Sequence, residues 1–397
     1  MLLEILISIF IGILTGTFTG LFPGIHINLI GTILVGLSVT ILSGTEPIYL
    51  VCFISAMAIT HTFIDFIPSI FLGCPDTDTQ LSILPGHELL KEGKGYEAIM
   101  LTAYGGLVAI FILIIISFPT AVIISKVYET IHSFIFWILL VTSSILIFTE
   151  KRKISSLFVF LISGVLGLCA LNLDVKEPLL PLLTGLFGSS MIIMSIKNKI
   201  KIPPQEITKP TCNLLRPIVG SLIASPLCGF LPGLGSGQAA VLGSTISKPD
   251  KKGFLVLIGA TNILVMGLSF VSLYAISKTR TGAAVAIQEL IGNLSWKVLG
   301  IILFVILLSG IISFFLTKFL AEFFSQKIYK MNYTILSIAT LIILVIIVFI
   351  FSGIMGILIL LASTMTGIFF NSLAIKKTNM MGCLLIPTMI YYFPKFF

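Results

Sequence analysis

Residues 19–26 read "TGLFPGIH" and residues 229–238 read "GFLPGLGSGQ". Each sets a Pro-Gly pair inside a run apolar enough for a bilayer. Proline removes an amide donor and fixes φ, and glycine turns through φ > 0, so each pair ends one helix and starts another. The main-chain N–H and C=O groups released there are costly in hydrocarbon unless something satisfies them. Interrupted backbone at membrane depth therefore points to protein, water or a bound solute. A single kinked, packed helix is the plainer alternative at either break. It is weakened because Gly20, Pro23 and Gly24 fall on Gly229, Pro232 and Gly233 at one constant offset.

The composition around these breaks fixes the class. The chain has 397 residues, 57% of them hydrophobic and 10% charged, with a mean hydropathy of +1.15. Those values exclude a soluble globular domain. Apolar stretches recur at the length of about 20 residues that a helix needs to cross hydrocarbon, without the alternation of a barrel strand. The expectation is an all-α polytopic membrane protein. Its opening "MLLEILISIFIGILTG" has no basic n-region and no small-residue cleavage site, and is expected to be a retained first membrane segment. Six cysteines stand singly, without C-x-x-C spacing, and signal neither a disulfide framework nor a metal site.

The formal charge of +8 reads as topology and not as a nucleic-acid partner. Lys91, Lys94, the run 151–153, lysines 197, 199, 201 and 209, Lys248, Lys251, Lys252, Lys327, Lys330, Lys376 and Lys377 can share one face, assigned to the cytoplasm. Fewer basic residues, among them Lys126, Lys176, Lys278 and Lys297, remain for the other. On that assignment the first half is a hairpin over 2–42 broken at Pro23-Gly24, then crossings at 47–72, 97–125, 133–149, 156–172 and 179–196. "KNKIKIPPQEITKPT" (197–211) is the polar, proline-bearing linker. The second half retraces the order: a hairpin over 213–246 broken at Pro232-Gly233, a crossing at 254–276, a polar re-entry at 277–292, and crossings at 295–326, 331–351, 352–372 and 378–394. Residues 1–196 and 212–397 are thus expected to be two inverted-topology repeats, each with a Pro-Gly-broken hairpin, joined by 197–211. Interrupted helices at matching positions of inverted halves are the signature of an alternating-access transporter.

Candidate site residues cluster at the breaks. Pro23 and Gly24 precede His26 and Asn28; Pro232 and Gly233 precede Gly235, Ser236, Gly237 and Gln238 at the start of a new helix. A glycine-preceded helix N-terminus is a cradle for anions. His61 and Asp65 lie one helical turn apart inside an apolar run, where ionisable groups face a wet interior; they can relay a proton, hold a cation, or simply lock two helices. "CPDTDTQ" (74–80) gathers Asp76, Thr77, Asp78 and Thr79 in a helix break, a ligand set for Na+ or a solvated, capped turn. In the second half Asn262 falls where His61 does, and Lys278 and Arg280 fall where the 76–79 turn does, a cationic pair for an anionic solute or an exposed loop.

"GLFPGIH", "SIFLGCPDTDTQ", "LPGHELLKEGKGYEAIMLTAYGGLVA" (84–109) and "CGFLPGLGSG" occur in an order that resembles the large membrane subunit of the tripartite tricarboxylate transporters. The chain departs from that family's pattern in having "CPDTDT" in place of its P-G element, and in keeping only Asn262 of its P-E-A-x-N-N-A element. The resemblance implies a solute-binding protein and a small membrane subunit as partners. "PGLGSG" is similar, more weakly, to the P-G-x-S-G-G element of polyprenyl-phosphate translocases.

The expected function is secondary active transport of a carboxylate-like organic anion, coupled to Na+ or H+, with the solute held between the two Pro-Gly breaks. A polyprenyl-phosphate carrier is the alternative. No cofactor is expected beyond the coupling ion. The expected surroundings are membrane lipids of the cell membrane and, in a homodimer, a second copy of the chain. No G-x-G-D, H-E-x-x-H or His-rich element supports an intramembrane enzyme.

Overall fold

Among the described residues, seven helices are long and apolar enough to cross a bilayer: Leu2–Leu21, Pro47–Leu72, Gly95–Tyr128, Lys153–Leu171, Lys251–Ile276, Trp296–Ile328 and Ser337–Ser372. Five shorter apolar helices accompany them. The computed structural model describes residues 2–22, 27–38, 40, 43–73, 78–197, 202–230, 235–279, 281–329, 333–373, 375 and 377–393. Among the described residues the chain contains helices and no β-strand.

In chain order the helices are α1 (Leu2–Leu21), α2 (Ile27–Ser38), α3 (Pro47–Ile64), α4 (Phe66–Leu72), α5 (Ile83–Lys91), α6 (Gly95–Ser133), α7 (Ile135–Phe148), α8 (Lys153–Leu171) and α9 (Leu179–Leu183). A π-helical stretch, Thr184–Ser189, joins α9 to α10 (Ser190–Lys197). After the linker come α11 (Leu215–Phe230), α12 (Ser236–Ser247), α13 (Lys251–Ile276), α14 (Gly282–Ile291), α15 (Trp296–Ile328) and α16 (Tyr333–Ser372). A short 3-10 turn, Lys377–Met381, then leads into α17 (Gly382–Tyr391).

Two of the long spans differ from the rest. Pro47–Leu72 and Lys251–Ile276 are 94% buried over their apolar windows, whereas the other five are 28 to 44% buried. Protein surrounds these two on all sides. Small residues make that enclosure close, because helices in lipid associate through packing more than through a hydrophobic drive. Gly12, Gly16 and Gly20 form one row of α1 against α3: a methyl on Gly12 would lie 2.6 Å from the Phe53 carbonyl oxygen, and one on Gly16 2.5 Å from that of Met57. α6 and α13 run parallel in backbone contact, Gly105 facing the Val256 peptide and Gly259 the Thr102 peptide. Glu97 and Lys252 pair at their N-terminal ends. α3 and α15 are joined where the Ser313 hydroxyl donates to Thr60 Oγ1 at 2.9 Å. α6 and α15 run antiparallel, with Tyr96 on Glu322, Tyr104 on Phe314 and Phe118 on Trp296.

A second bundle forms beside this core. Gly164 and Gly167 of α8 admit Ile386 and the Cys383 peptide, and α17 returns the contact where Gly382 meets Phe160. The α9–α10 segment packs on α16, where the Ser363 and Ser352 hydroxyls donate to the Pro181 and Glu177 carbonyls at 3.0 and 3.1 Å. α16 is interrupted at Gly353 (φ 63, ψ −160), a conformation that only glycine enters readily. The chain folds back there, bringing Gly356 against Ser352 and Val348. The crossings expected at 331–351 and 352–372 are the two arms of this break.

The core therefore holds α1–α6 and α11–α15, and the outer bundle holds α7–α10, α16 and α17. Helices from both sides of the 197–211 linker contribute to each. Besides the chain link from α6 to α7, the contact of α12 with the 377–381 turn is the most extensive between the two bundles among the described residues. α12 stands on the border with parts of α11 and α13: Ala240 belongs to the core cluster, and Ala239 to the outer one with Ala224, Cys228, Val265, Met380 and Met381. The linker itself is strapped to the α5–α6 turn. Gln205 Oε1 accepts from Gly95 N at 2.7 Å, and Glu206 N donates to the Gly93 carbonyl at 2.7 Å.

Candidate functional site

The helix breaks expected from the sequence fall between described helices. α1 ends at Leu21 and α2 begins at Ile27; α11 ends at Phe230 and α12 begins at Ser236. Pro23, Gly24, His26, Asp76, Thr77, Pro232, Gly233 and Arg280 lie outside the described residues, as does the side chain of Asn28. The remaining candidates can be placed.

α12 starts from Gly235, whose extended backbone (φ −106, ψ −179) leaves the helix at its first turn. Gln238, three residues on, folds back so that its Oε1 accepts from Gly235 N at 2.8 Å. That uses a side chain to satisfy one of the amides a helix start leaves unpaired. Ser236 Oγ donates to Asp78 Oδ1, joining positions 158 apart in the chain. Asn262, midway along α13, donates through Nδ2 to the Asp78 carbonyl at 3.2 Å. Ser236, Gln238 and Asn262 are 2%, 1% and 3% exposed. Gln238 Nε2 and Asn262 Oδ1 have no hydrogen-bond partner among the described residues. One buried donor and one buried acceptor thus stand unsatisfied on the side chains that meet at the Asp78 turn and the start of α12, each at a cost of about 1–3 kcal/mol unless a ligand or water meets it.

The neighbouring turn extends this cluster toward α3. Thr79 Oγ1 and Ser69 Oγ are 2.6 Å apart, and Ser69 Oγ donates onward to the Asp65 carbonyl at 2.7 Å. Ser82 Oγ holds the Thr79 carbonyl at 2.6 Å. α3 gives way at Asp65 because Pro68 lacks the N–H that would bond the Ile64 carbonyl. Asp65 occupies that joint, buried, and its own N–H bonds the His61 carbonyl at 2.9 Å. His61 Nδ1 lies 2.9 Å from Thr19 Oγ1, near the end of α1 and so beside the first break. The structure brings Asp78, Thr79, Ser236, Gln238 and Asn262 into one cluster, connected through Ser69 to Asp65 and from there, one turn back, to His61.

A matching pair of hydroxyls occurs in the second half. Ser269 Oγ and Thr281 Oγ1 are 2.8 Å apart, linking the latter part of α13 to the N-cap of α14 as Ser69 and Thr79 link α4 to the 78–82 turn. α14 in turn packs on α2, where a methyl on Gly31 would stand 3.1 Å from Ala286 Cβ. Lys278 does not join the cluster: it is exposed beyond the C-terminal end of α13, which lies about 21 Å along the helix axis from Asn262.

Thr19, Ser69 and Ser82 escaped sequence reasoning. Single hydroxyl residues in apolar helices usually bond their own preceding turn, as many here do, so nothing in the pattern marks those that reach across. Chemically, the cluster offers the Ser236 hydroxyl, the Gln238 amide and the positive end of the α12 dipole to an anion. It offers the Asp78 carboxylate and the Asn262 carbonyl to a cation or a donor group.

A family model described as the tripartite tricarboxylate transporter TctA family matches residues 6–382. The uncharacterized protein MJ1079 of Methanocaldococcus jannaschii is 33% identical over 357 residues, which cover 86% of this chain and 88% of that protein. No solved structure matches.

Proposed function

We propose that this chain, which belongs to the tripartite tricarboxylate transporter TctA family, is the membrane-spanning subunit of a secondary active transporter for a carboxylate-bearing organic anion. The membership makes it a component of a membrane transport system, and the apolar spans make it a multi-pass membrane protein. The observation that carries the finer reading is the convergence of the first turn of α12, the Asp78–Thr79 turn and Asn262 inside an otherwise apolar core, with a donor and an acceptor left over. Polar groups are kept in such a place when they meet a solute or an ion.

In this reading the solute's carboxylate accepts from Ser236, Gln238 and the amides of the first turn of α12. The coupling Na+ or H+ is taken up by the acidic turn and Asp65. The core moves against the outer bundle, because the two share little contact and α12 lies on their border. As the family's name says, its systems are tripartite. The partners proposed are a solute-binding protein and a small membrane subunit, in the cell membrane.

The test is a binding screen of the purified, detergent-solubilised protein against di- and tricarboxylates and against prenyl phosphates. The expected result is saturable binding of a carboxylate, weakened at least about tenfold by Gln238→Ala, which removes a hydrogen bond to a charged group. Binding of prenyl phosphates alone, or carboxylate binding indifferent to that substitution, would refute the reading.

A further inference from the structure

We infer that Asp78 is a tethered stand-in for the cargo: its carboxylate occupies the seat at the first turn of α12 that a solute carboxylate takes, and the solute must displace it. The inference rests on the reading of that turn as the anion site, and specifies what holds the site when no solute is there.

The seat is a built one. Ser236, the first residue of a helix of 12 residues, donates its hydroxyl to Asp78 Oδ1. Gly235 leaves the approach open, since a methyl there would itself stand 3.7 Å from that oxygen. Gln238, 1% exposed, has its amide over the same turn, its Oε1 spent on Gly235 N and its Nε2 without a partner among the described residues. A carboxylate at the positive end of a helix, accepting a hydroxyl's hydrogen bond, is what an organic acid would supply. Here the chain supplies it from the other half of its sequence.

The backbone of the turn is pinned independently of that carboxylate. The Asp78 carbonyl is held by Asn262, the Thr79 hydroxyl by Ser69, and the Thr79 carbonyl by Ser82. Rotation of the Asp78 side chain about these pinned backbone groups is the motion by which it gives up its bond to Ser236. The Asn262 Oδ1 atom, buried and without a partner among the described residues, then remains to accept a hydrogen bond from a donor group of the arriving solute. A resident carboxylate of this kind keeps the site closed to weak anions and admits a solute that offers more contacts than it removes. Competition with one charge-assisted hydrogen bond weakens the apparent affinity for cargo by roughly 10- to 100-fold.

The experiment uses the full chain in detergent, read by thermal unfolding with added sodium formate, with sodium chloride and inorganic phosphate as controls. Asp78→Ala should gain a saturable stabilisation by formate that wild type lacks, and the Asp78→Ala, Ser236→Ala double variant should lose it. In parallel, Asp78→Asn should bind the carboxylate cargo at least about tenfold tighter than wild type. If wild type binds a carboxylate while Asp78→Ala ignores formate and Asp78→Asn binds no tighter, the stand-in is refuted and the transport reading survives. If Asp78→Ala takes formate through Ser236 while no cargo carboxylate binds wild type, the stand-in survives and the cargo class falls. A shift with phosphate but not formate overturns the stand-in as a carboxylate seat. Should Asp78→Ala not fold, Asp78→Asn, whose neutral amide is the weaker occupant, goes through the same formate titration with the same readings.

Discussion

Replacing Gly259 with alanine adds one methyl where α13 crosses α6. That methyl would stand 2.7 Å from the Thr102 carbonyl carbon and 2.8 Å from its Cα, where ordinary contact begins at 3.4 Å. Both are backbone atoms, which cannot rotate away, and the reciprocal contact of Gly105 on Val256 leaves no room to slide. The helices must part by at least about 0.7 Å in a region packed to native density. Overpacking of this kind costs about 1–3 kcal/mol, against a gain of at most about 1 kcal/mol from the better helix propensity of alanine. The expected net loss is up to about 2 kcal/mol. Asn262 lies one turn further along α13, and its 3.2 Å bond to the Asp78 carbonyl would open beyond hydrogen-bonding range. A misplacement approaching 1 Å in a binding constellation costs on the order of tenfold or more in rate. The assay pairs thermal unfolding in detergent with solute uptake into proteoliposomes. Gly300→Ala serves as control, since a methyl there meets nothing within 4 Å. If Gly259→Ala unfolds like Gly300→Ala and transports like wild type, the argument from backbone contact is wrong.

Glu97→Gln removes the charge that holds Lys252 at the joined N-termini of α6 and α13; Glu97 is 3% exposed and Lys252 partly exposed. The expected loss is about 2 kcal/mol in unfolding measurements, against under about 1 kcal/mol for Lys94→Ala in the exposed pair with Glu92. Asn262→Leu removes both a bond to Asp78 and an unsatisfied acceptor, so stability should move by less than about 1 kcal/mol while uptake falls at least about tenfold; retained uptake would take Asn262 out of the site. Burial pushes the Cys212 thiol up, Asp250 and Glu97 push the same way, and Lys252 offsets part of the shift. A raised value means less thiolate at neutral pH. With the other cysteines replaced by serine, maleimide labelling of Cys212 should therefore rise with pH through a midpoint above the free-thiol value of about 8.5. A midpoint at or below that value would contradict the burial of the thiol.

Much of the site was legible because polar residues in apolar helices stand out on cost alone. Asn262, Asp65, His61 and Ser236 each sit where a leucine would be cheaper, and the structure places all four inside the core. Lys278 was legible as a charge but not as a surface one: the helix carrying it extends to Ile276, so the lysine emerges past the enclosed part of the span. Crossing points were readable to within a few residues from apolar run length. The fold-back at Gly353 was placed at 351–352 for the same reason, since one run of 40 residues is too long for a single crossing.

The sequence by itself determined the class of molecule and the approximate extent of its long apolar helices. These follow from the free energy of moving each residue between water and hydrocarbon, a property of local composition. Only the tertiary structure decided that helices from the two halves interleave into a core and an outer bundle, and that Asp78 answers Ser236 across 158 positions. Which hydroxyl meets which carboxylate depends on how glycine rows set the approach and register of enclosed helices. That is a matter of shape between distant segments, and no single segment carries it.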